Sequence, residues 1–271
     1  MKWNRRFGRR KTALRQYYLA RNKDIDVKYD QDGYYITELL PGSFNGGVRN
    51  YKCYLKAGAL IKPTLYRKET VVYMFGKGCG YITDEVEAHN ITELSFYLPD
   101  FDRNPFTIHA VTDVEYVMSV VEMNPYDWEC YYHSHIHLPY FMKYTDGQIY
   151  DQDCKGANTT SWLIIGPGQM ARILLGVVKA VGEGTNEKGH PTVDQWNYSV
   201  GNSEFNLSVD HQDPIVQQAG DFSFIPAGAD HSLISEPGKE VFYVWYEHFT
   251  RERDCMLTLA EGECLEDKLK R

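Results

Sequence analysis

The sequence predicts an all-β protein made of two tandem copies of one strand-rich unit, and three observations predict it. Val, Ile, Tyr and Phe cluster in short runs (Thr70 to Phe75, Tyr116 to Val121, Phe222 to Ile225, Val241 to Tyr246) separated by Gly, Pro, Asn and Asp, the pattern of strands and turns. Helical stretches are few, with candidates only at 9–22 and 256–270. Landmarks recur at a nearly constant offset. Glu69 and Gly76 match Asp194 and Gly201 with a shift of 125, and His109 and Glu115 match His231 and Glu240 with shifts of 122 and 125. A repeated spacing of this kind marks a duplicated unit. Twenty-one tyrosines suit half-buried sheet faces, where the ring is covered and the hydroxyl stays wet.

Taken in order, residues 1–34 form a basic, partly helical arm. Residues 1–23 hold nine Lys or Arg and no acid, whereas the remaining 248 residues hold 20 basic and 37 acidic groups. The arm also carries Trp3, Phe7, Leu14, Tyr17 and Leu19, which a purely solvated tail does not need, so it is expected to pack on the acidic body of a neighbouring subunit. The first β unit covers 35–130, and a connector rich in Pro, Gly, Asp and aromatics covers 131–159. The second β unit covers 160–252, and residues 253–271 are a tail. Evenly spaced short strands of this kind build a sandwich or barrel.

Composition excludes several classes. A net charge of −8 argues against a general nucleic-acid binder. The longest apolar runs, Trp162 to Ile165 and Ile173 to Val178, fall far short of the ~18 residues of a membrane span. The basic first residues lack the apolar core of a signal peptide. Six cysteines without CxxC spacing read as reduced thiols of a cytoplasmic protein. Gly166-Pro-Gly168 and Gly182-Glu-Gly184 are turns that start no helix, so they are not phosphate loops.

The string Gly220-Asp-Phe-Ser-Phe-Ile-Pro226-Ala-Gly228-Ala-Asp-His231 reads as a strand ending in a tight turn that delivers a histidine to the next strand. It resembles the second motif of the cupins over all twelve positions. Upstream, Gly189-His190-Pro-Thr-Val-Asp194-Gln195-Trp-Asn-Tyr198-Ser-Val-Gly201 resembles the first cupin motif. The resemblance spans both units and implies a bicupin: two tandem double-stranded β-helix (jelly-roll) barrels, the second binding metal. Departures are local. Lys188 stands where the first motif histidine belongs, and lysine is a poor ligand at neutral pH. The motif glutamate is replaced by Asp194, favoured by spacing to Gly201, or by Gln195, favoured by the Gln195-x-x-Tyr198 pattern. Only one of these neighbours can face inward on a regular strand. With Glu187 entering from the preceding loop, the candidate ligands are Glu187, His190, Gln195 or Asp194, and His231. Such a mixed N/O set suits Mn²⁺, Fe²⁺, Ni²⁺ or Zn²⁺ and leaves positions for substrate.

In the first unit the same spacing places Pro63 and Leu65 at ligand positions, with only Glu69 kept, so a metal-free barrel is expected there. His133, His135 and His137 would share one face of a strand, but they would span about 13 Å, too far to hold one ion together. Glu247, His248 and Tyr198 are candidate proton-transfer residues, and Trp196, Tyr198 and Trp245 are expected to close the pocket. The expected function is a metal-dependent cupin enzyme. Its chemistry would be non-redox, of hydrolase, isomerase or lyase type, on a small oxygen-rich metabolite. The alternatives are an Fe²⁺ dioxygenase and a non-catalytic small-molecule-binding bicupin. A homo-oligomer, dimer or higher, is expected from the arm and the sheet edges.

Overall fold

The computed structural model describes residues 18–42, 47–133, 136–170, 172–210 and 212–250. The chain opens with β1 (Tyr18–Ala20), β2 (Tyr34–Leu39), β3 (Val48–Leu55), β4 (Leu60–Ile61) and β5 (Glu69–Lys77). It continues with β6 (Gly80–Thr83), β7 (Ala88–Ile91), β8 (Ser95–Leu98), β9 (Thr107–Ala110) and β10 (Val114–Glu122). Helix α1 (Pro125–His133) leads to β11 (Tyr140–Lys143), β12 (Gln148–Tyr150), β13 (Thr160–Met170) and β14 (Ile173–Val181). The remaining strands are β15 (Gly184–Glu187), β16 (Val193–Ser199), β17 (Glu204–Val209), β18 (Ile215–Gln218), β19 (Phe222–Ile225), β20 (His231–Ile234) and β21 (Glu240–Phe249). No helix among the described residues is long and apolar enough to cross a membrane.

Four antiparallel sheets result. The first half makes a six-stranded sheet, β11-β8-β5-β10-β3-β2, and a four-stranded sheet, β4-β9-β6-β7. The second half repeats the plan with seven strands, β1-β19-β16-β21-β14-β13-β12, and four, β15-β20-β17-β18. Within each half the large and small sheets enclose a core. Val71, Tyr73, Phe75, Tyr116 and Ile108 fill the first, and Val178, Phe205, Leu207, Leu233 and Tyr243 the second. A third core joins the halves: Val72, Met74 and Val117 of one large sheet meet Trp196, Tyr198, Val244 and Tyr246 of the other. The central strands β5, β10, β16 and β21 are therefore covered on both sides. The near-continuous apolar runs of β5, β10 and β21 follow from that, because a strand with no face in water needs no polar alternation; β16 differs in carrying buried polar residues.

Specific contacts also fix the halves to each other. Gly76 leaves room for the Tyr198 ring, since a Cβ there would lie 2.5 Å from the Tyr198 hydroxyl oxygen. At the far side of the joint, Asp127 on α1 takes two hydrogen bonds from the Arg172 guanidinium, at 2.8 and 2.7 Å. Helix α1 starts where its capping chemistry dictates. The Asp127 N–H donates to the Asn124 side-chain oxygen at 2.9 Å, the Asn124 N–H donates back to Asp127 at 3.1 Å, and Pro125 occupies the first turn, where no backbone donor is missed.

The structure corrects the helix expected at the N-terminus. The helix expected at 9–22 extends into described residues only from Tyr18, and there the chain is strand β1. It pairs with β19 of its own chain, Tyr18 opposite Phe224. Asn22 then bridges the halves, its N–H donating to Asp221 and its side-chain oxygen accepting from the Tyr54 hydroxyl. This attachment of Tyr18–Ala20 is within the chain; residues 1–17 of the arm lie outside the described residues. The helix expected at 256–270 lies outside the described residues. His133 closes α1 and is not on a strand; β11 and β12 of the connector each extend one of the large sheets.

A charged group sits inside the central core. Lys52 on β3 is fully buried. Its ammonium donates to the Tyr198 hydroxyl at 3.1 Å and to the Gly220 carbonyl at 3.4 Å, and lies 3.7 Å from the Glu115 carboxylate. Burial pulls its pKa down to about 8 against the opposing field of Glu115. A folded pKa below the unfolded value means that the unfolded chain binds more protons between the two, so this residue makes stability rise with pH across that window. Replacing Lys52 with Met is expected to remove the rise between pH 8 and 10.5, which denaturant titrations at pH 7.5, 9 and 10.5 measure; an unchanged pH slope contradicts the assignment.

Candidate metal centre

The second half brings three ligating side chains together. Strands β15 and β20 pair so that Glu187 stands directly opposite His231, and both side chains face the core between the large and small sheets. His190 comes from the loop between β15 and β16. That loop is pressed against the Pro226–Gly228 turn. The Gly228 N–H donates to the His190 carbonyl at 2.7 Å, and a Cβ on Gly189 would fall 2.3 Å from the Gly228 backbone. Only glycine at 189 permits this approach, which is what carries His190 over the strand ends toward His231.

The ligand atoms of Glu187, His190 and His231 all lie within 4.8 Å of one another. His190 Nε2 is 3.4 Å from Glu187 Oε2 and 3.9 Å from Glu247 Oε1, and His231 Nε2 is 3.9 Å from Glu187 Oε2. The imidazole planes meet at 64° with centroids 5.7 Å apart. His231 Nδ1 lies 3.1 Å from the Ala229 carbonyl oxygen. A carbonyl only accepts, so Nδ1 carries the proton and Nε2 presents its lone pair to the cluster. Nε2 is buried and makes no hydrogen bond. Burial lowers the His231 pKa, with the Glu187 field opposing, which favours the uncharged ring that metal binding requires. Burial alone would raise the Glu187 carboxyl, but the hydrogen bond with His190 and the fields of both histidines outweigh it and hold the pKa at about 2. A fixed carboxylate beside two imidazoles, one nitrogen aimed inward without a partner, fits a divalent cation of the Mn, Fe, Zn or Ni kind.

Strand alternation sorts the other candidates. Gln195 pairs with Glu247 across β16 and β21, and both face the cluster side. Gln195 donates to the Asn197 side chain at 2.9 Å, while its carbonyl oxygen is buried without a hydrogen-bond partner. Asp194 and His248, the next pair in register, point the opposite way. Asp194 accepts from the Ala227 N–H at 2.9 Å and caps the turn; it is not at the cluster. His248 is buried beside Arg172 and Asp127, and burial together with the Arg172 charge lowers its pKa to about 4. Tyr198 lies in the joint between the halves on Lys52, with Trp196 on the same face. Asp194, His248, Tyr198 and Trp196 are thus removed from the site by one physical fact: each sits one residue out of phase with Gln195 or Glu247. Trp245 stays on the site side, packed on Gly176. Lys188 points to the surface and pairs with Asp230 at 3.2 Å, leaving the inward position to Glu187.

Sequence reasoning missed the rest of the wall. Asn197 and Ser199 continue the inward face of β16 beyond Gln195, and Ser223 stands opposite Asn197. Gln217 of β18 donates to the Asn197 carbonyl at 3.3 Å. All four are fully buried, so a polar stripe runs from the cluster into the core. Its signal was present as period-2 polar residues inside an otherwise apolar strand. Lys155, whose backbone bridges to Thr185, adds to the positive field on Glu187.

No family model matches the chain, and no curated protein matches it in sequence. Solved structures do match. A putative glyoxylate-induced protein from Pseudomonas aeruginosa is 11% identical with a TM-score of 0.69, over 87% of this chain and 88% of that one. The oxalate decarboxylase of Lactobacillus farciminis, in a formate complex, is 13% identical with a TM-score of 0.62, over 92% and 94%. A variant of the Bacillus subtilis oxalate decarboxylase is 14% identical with a TM-score of 0.61, over 86% and 77%. At such identities the likeness is one of fold, and it agrees with the cupin resemblance of the Gly220–His231 string. The chain has a cupin fold.

The backbone approach at Gly189 and the outward course of Lys188 give opposite expectations for neighbouring residues. Gly189→Ala is expected to push His190 away and weaken Mn²⁺ binding roughly tenfold, the scale of lost ligand-positioning contacts. Lys188→Ala removes only a surface ion pair and is expected to leave affinity within about twofold. Isothermal titration of both variants checks this; equal effects contradict the geometry.

Proposed function

We propose that the second sheet pair is a metal-binding cupin barrel. It acts as an enzyme on a small, oxygen-rich, carboxylate-bearing metabolite by non-redox hydrolase, isomerase or lyase chemistry. Glu187, His190 and His231 hold one divalent cation, and Gln195 offers a further neutral oxygen. The observation that carries this reading is the convergence of those three ligand atoms with His231 Nε2 locked inward. When bound, the ion polarises a substrate oxygen and stabilises the negative charge that develops.

The surrounding residues supply the rest. Glu247, 3.9 Å from His190 Nε2, is the carboxylate placed to hold or move a proton. Lys155 favours an anionic substrate by its charge. Trp245 and the buried apolar floor exclude water, and the Gln195–Asn197 stripe offers hydrogen bonds to hydroxyl or carbonyl groups. Two of the structurally similar proteins are named for decarboxylating oxalate, a small oxygen-rich acid, which supports a lyase among the three reaction types. We take the first sheet pair to be a second cupin barrel, joined back to back with the metal barrel. The protein is further proposed to work as a cytoplasmic homo-oligomer.

Metal analysis of protein purified without an affinity tag tests the reading. We expect about one Mn, Fe, Zn or Ni per chain, lost in His231→Ala while the far-ultraviolet spectrum stays β. Stoichiometric metal in His231→Ala overturns the site. Oxygen uptake during turnover of candidate acids replaces the non-redox reading with a dioxygenase, and a metal-loaded protein inert toward them leaves the binding-protein reading.

A further inference from the structure

The first half carries a surface groove that the metal centre does not use. It lies between helix α1, the loop before β5 and the loop between β8 and β9, with a volume of about 760 Å³. Its floor is aromatic. Phe101 is 3% exposed and holds a φ of 49°, a left-handed conformation that a residue with a Cβ rarely adopts without packing to hold it. That turn puts the Phe101 ring centroid 4.8 Å from Trp128 of α1. Tyr132, one helical turn further on, has its ring centroid 6.1 Å from Trp128 and is 70% exposed. The rim is basic. Arg67 and Lys68 are exposed, and the Arg103 side chain stays 57% exposed although it pairs with Asp100 at 3.4 Å. Among the described residues, Asp102 is the one acid of this lining.

Three cations against one acid, on a chain of net charge −8, favour an acidic occupant. Rings left partly in water favour one that also brings an apolar side chain. Two end stretches of this chain lie outside the described residues, and charge and position choose between them. Residues 1–17 hold seven Lys or Arg and no acid, so the groove repels them. They join the fold at Tyr18 on β1, one edge of the seven-stranded sheet, whereas α1 packs on β13 near the other edge. Residues 251–271 follow Thr250. Just before it, the Phe249 N–H donates to the Arg172 carbonyl at 2.9 Å, and the Arg172 guanidinium holds Asp127 in the first turn of α1. The tail therefore starts beside the helix that walls the groove. Within it, residues 261–267 hold Glu261, Glu263, Glu266 and Asp267, no base, and the apolar Leu265. Residues 251–260 reach about 33 Å when extended, and α1 is about 13 Å long, so the acidic stretch reaches every part of the groove.

We propose that residues 261–267 bind in this groove of their own chain, with the acids on Arg67, Lys68 and Arg103 and Leu265 on the rings. The tail of the second half is thereby strapped across α1 to the first half. The test puts the photocrosslinker p-benzoylphenylalanine in place of the exposed Tyr132 in the full chain. Products are mapped by mass spectrometry on a mixture of ¹⁴N and ¹⁵N protein. Crosslinks to residues 261–267 are expected, each joining residues of one isotope. Arg67→Glu with Lys68→Glu is expected to lower their yield about fivefold, because the rim then repels the acids. Adding Glu261→Lys and Glu263→Lys is expected to restore it. Both reversed rim positions are exposed, and circular dichroism checks that the fold is kept. Crosslinks between ¹⁴N and ¹⁵N chains make the groove an interface between copies and overturn the proposal. So do crosslinks to residues 1–17, none to the tail, or a yield that charge reversal leaves unchanged.

Discussion

Strands β16 and β21 are buried on both faces, and a β-strand sends neighbouring side chains to opposite sides. That constraint organises the molecule. One face of each strand builds the joint between the halves, through Trp196, Tyr198, Val244 and Tyr246. The other face carries Gln195, Asn197, Tyr243 and Glu247 into the second sheet pair. A slip of one residue would exchange them, placing Trp196 and His248 at the cluster and a carboxylate in an apolar joint. The cost of burying unpaired polar groups therefore locks the register, and the register places the site.

Duplication of one plan allows its halves to be compared as chemistry. The central strands of the second half pair Gln195 with Glu247 on the face between its sheets, whereas those of the first half pair Val71 with Val120 and Tyr73 with Met118 on theirs. The first half keeps the sheets and loses the charged residues from its interior, which fills with phenol rings. The second half keeps an interior polar stripe, and among the described residues it is there that a strand end, a loop and a tight turn converge with nitrogen and carboxylate donors. Gly189 makes that convergence possible, since its missing side chain lets the histidine loop lie on the Pro226–Gly228 turn.

Much of this was legible in the sequence for physical reasons. The β class followed from short β-branched and aromatic runs, and the duplication from landmarks whose spacing reflects strand positions. His231 was readable because the Pro226-Ala-Gly228 turn dictates where the next histidine goes; His190 came from the resemblance to the first cupin motif, and Glu187 from the need to replace the histidine missing at Lys188. The choice between Asp194 and Gln195 depends on strand phase. Gln195, Asn197 and Ser199 carry that phase as a polar alternation, but Asp194 is polar on the opposite face and blurs it at the one position that decides. Tyr198 and His248 were misplaced for the same reason. The course of the chain from Tyr18 to Asp24 and the burial of Lys52 depend on which sheets meet, and composition does not encode that.

In the proposed site two imidazoles, His190 and His231, bind one ion together. Pulsed electron paramagnetic resonance on protein loaded with Mn²⁺ and labelled with ¹⁵N-histidine measures this directly. The account predicts couplings from two histidine nitrogens on a single ion, reduced to one in His190→Ala. A spectrum without histidine coupling, or one that His190→Ala leaves unchanged, contradicts it.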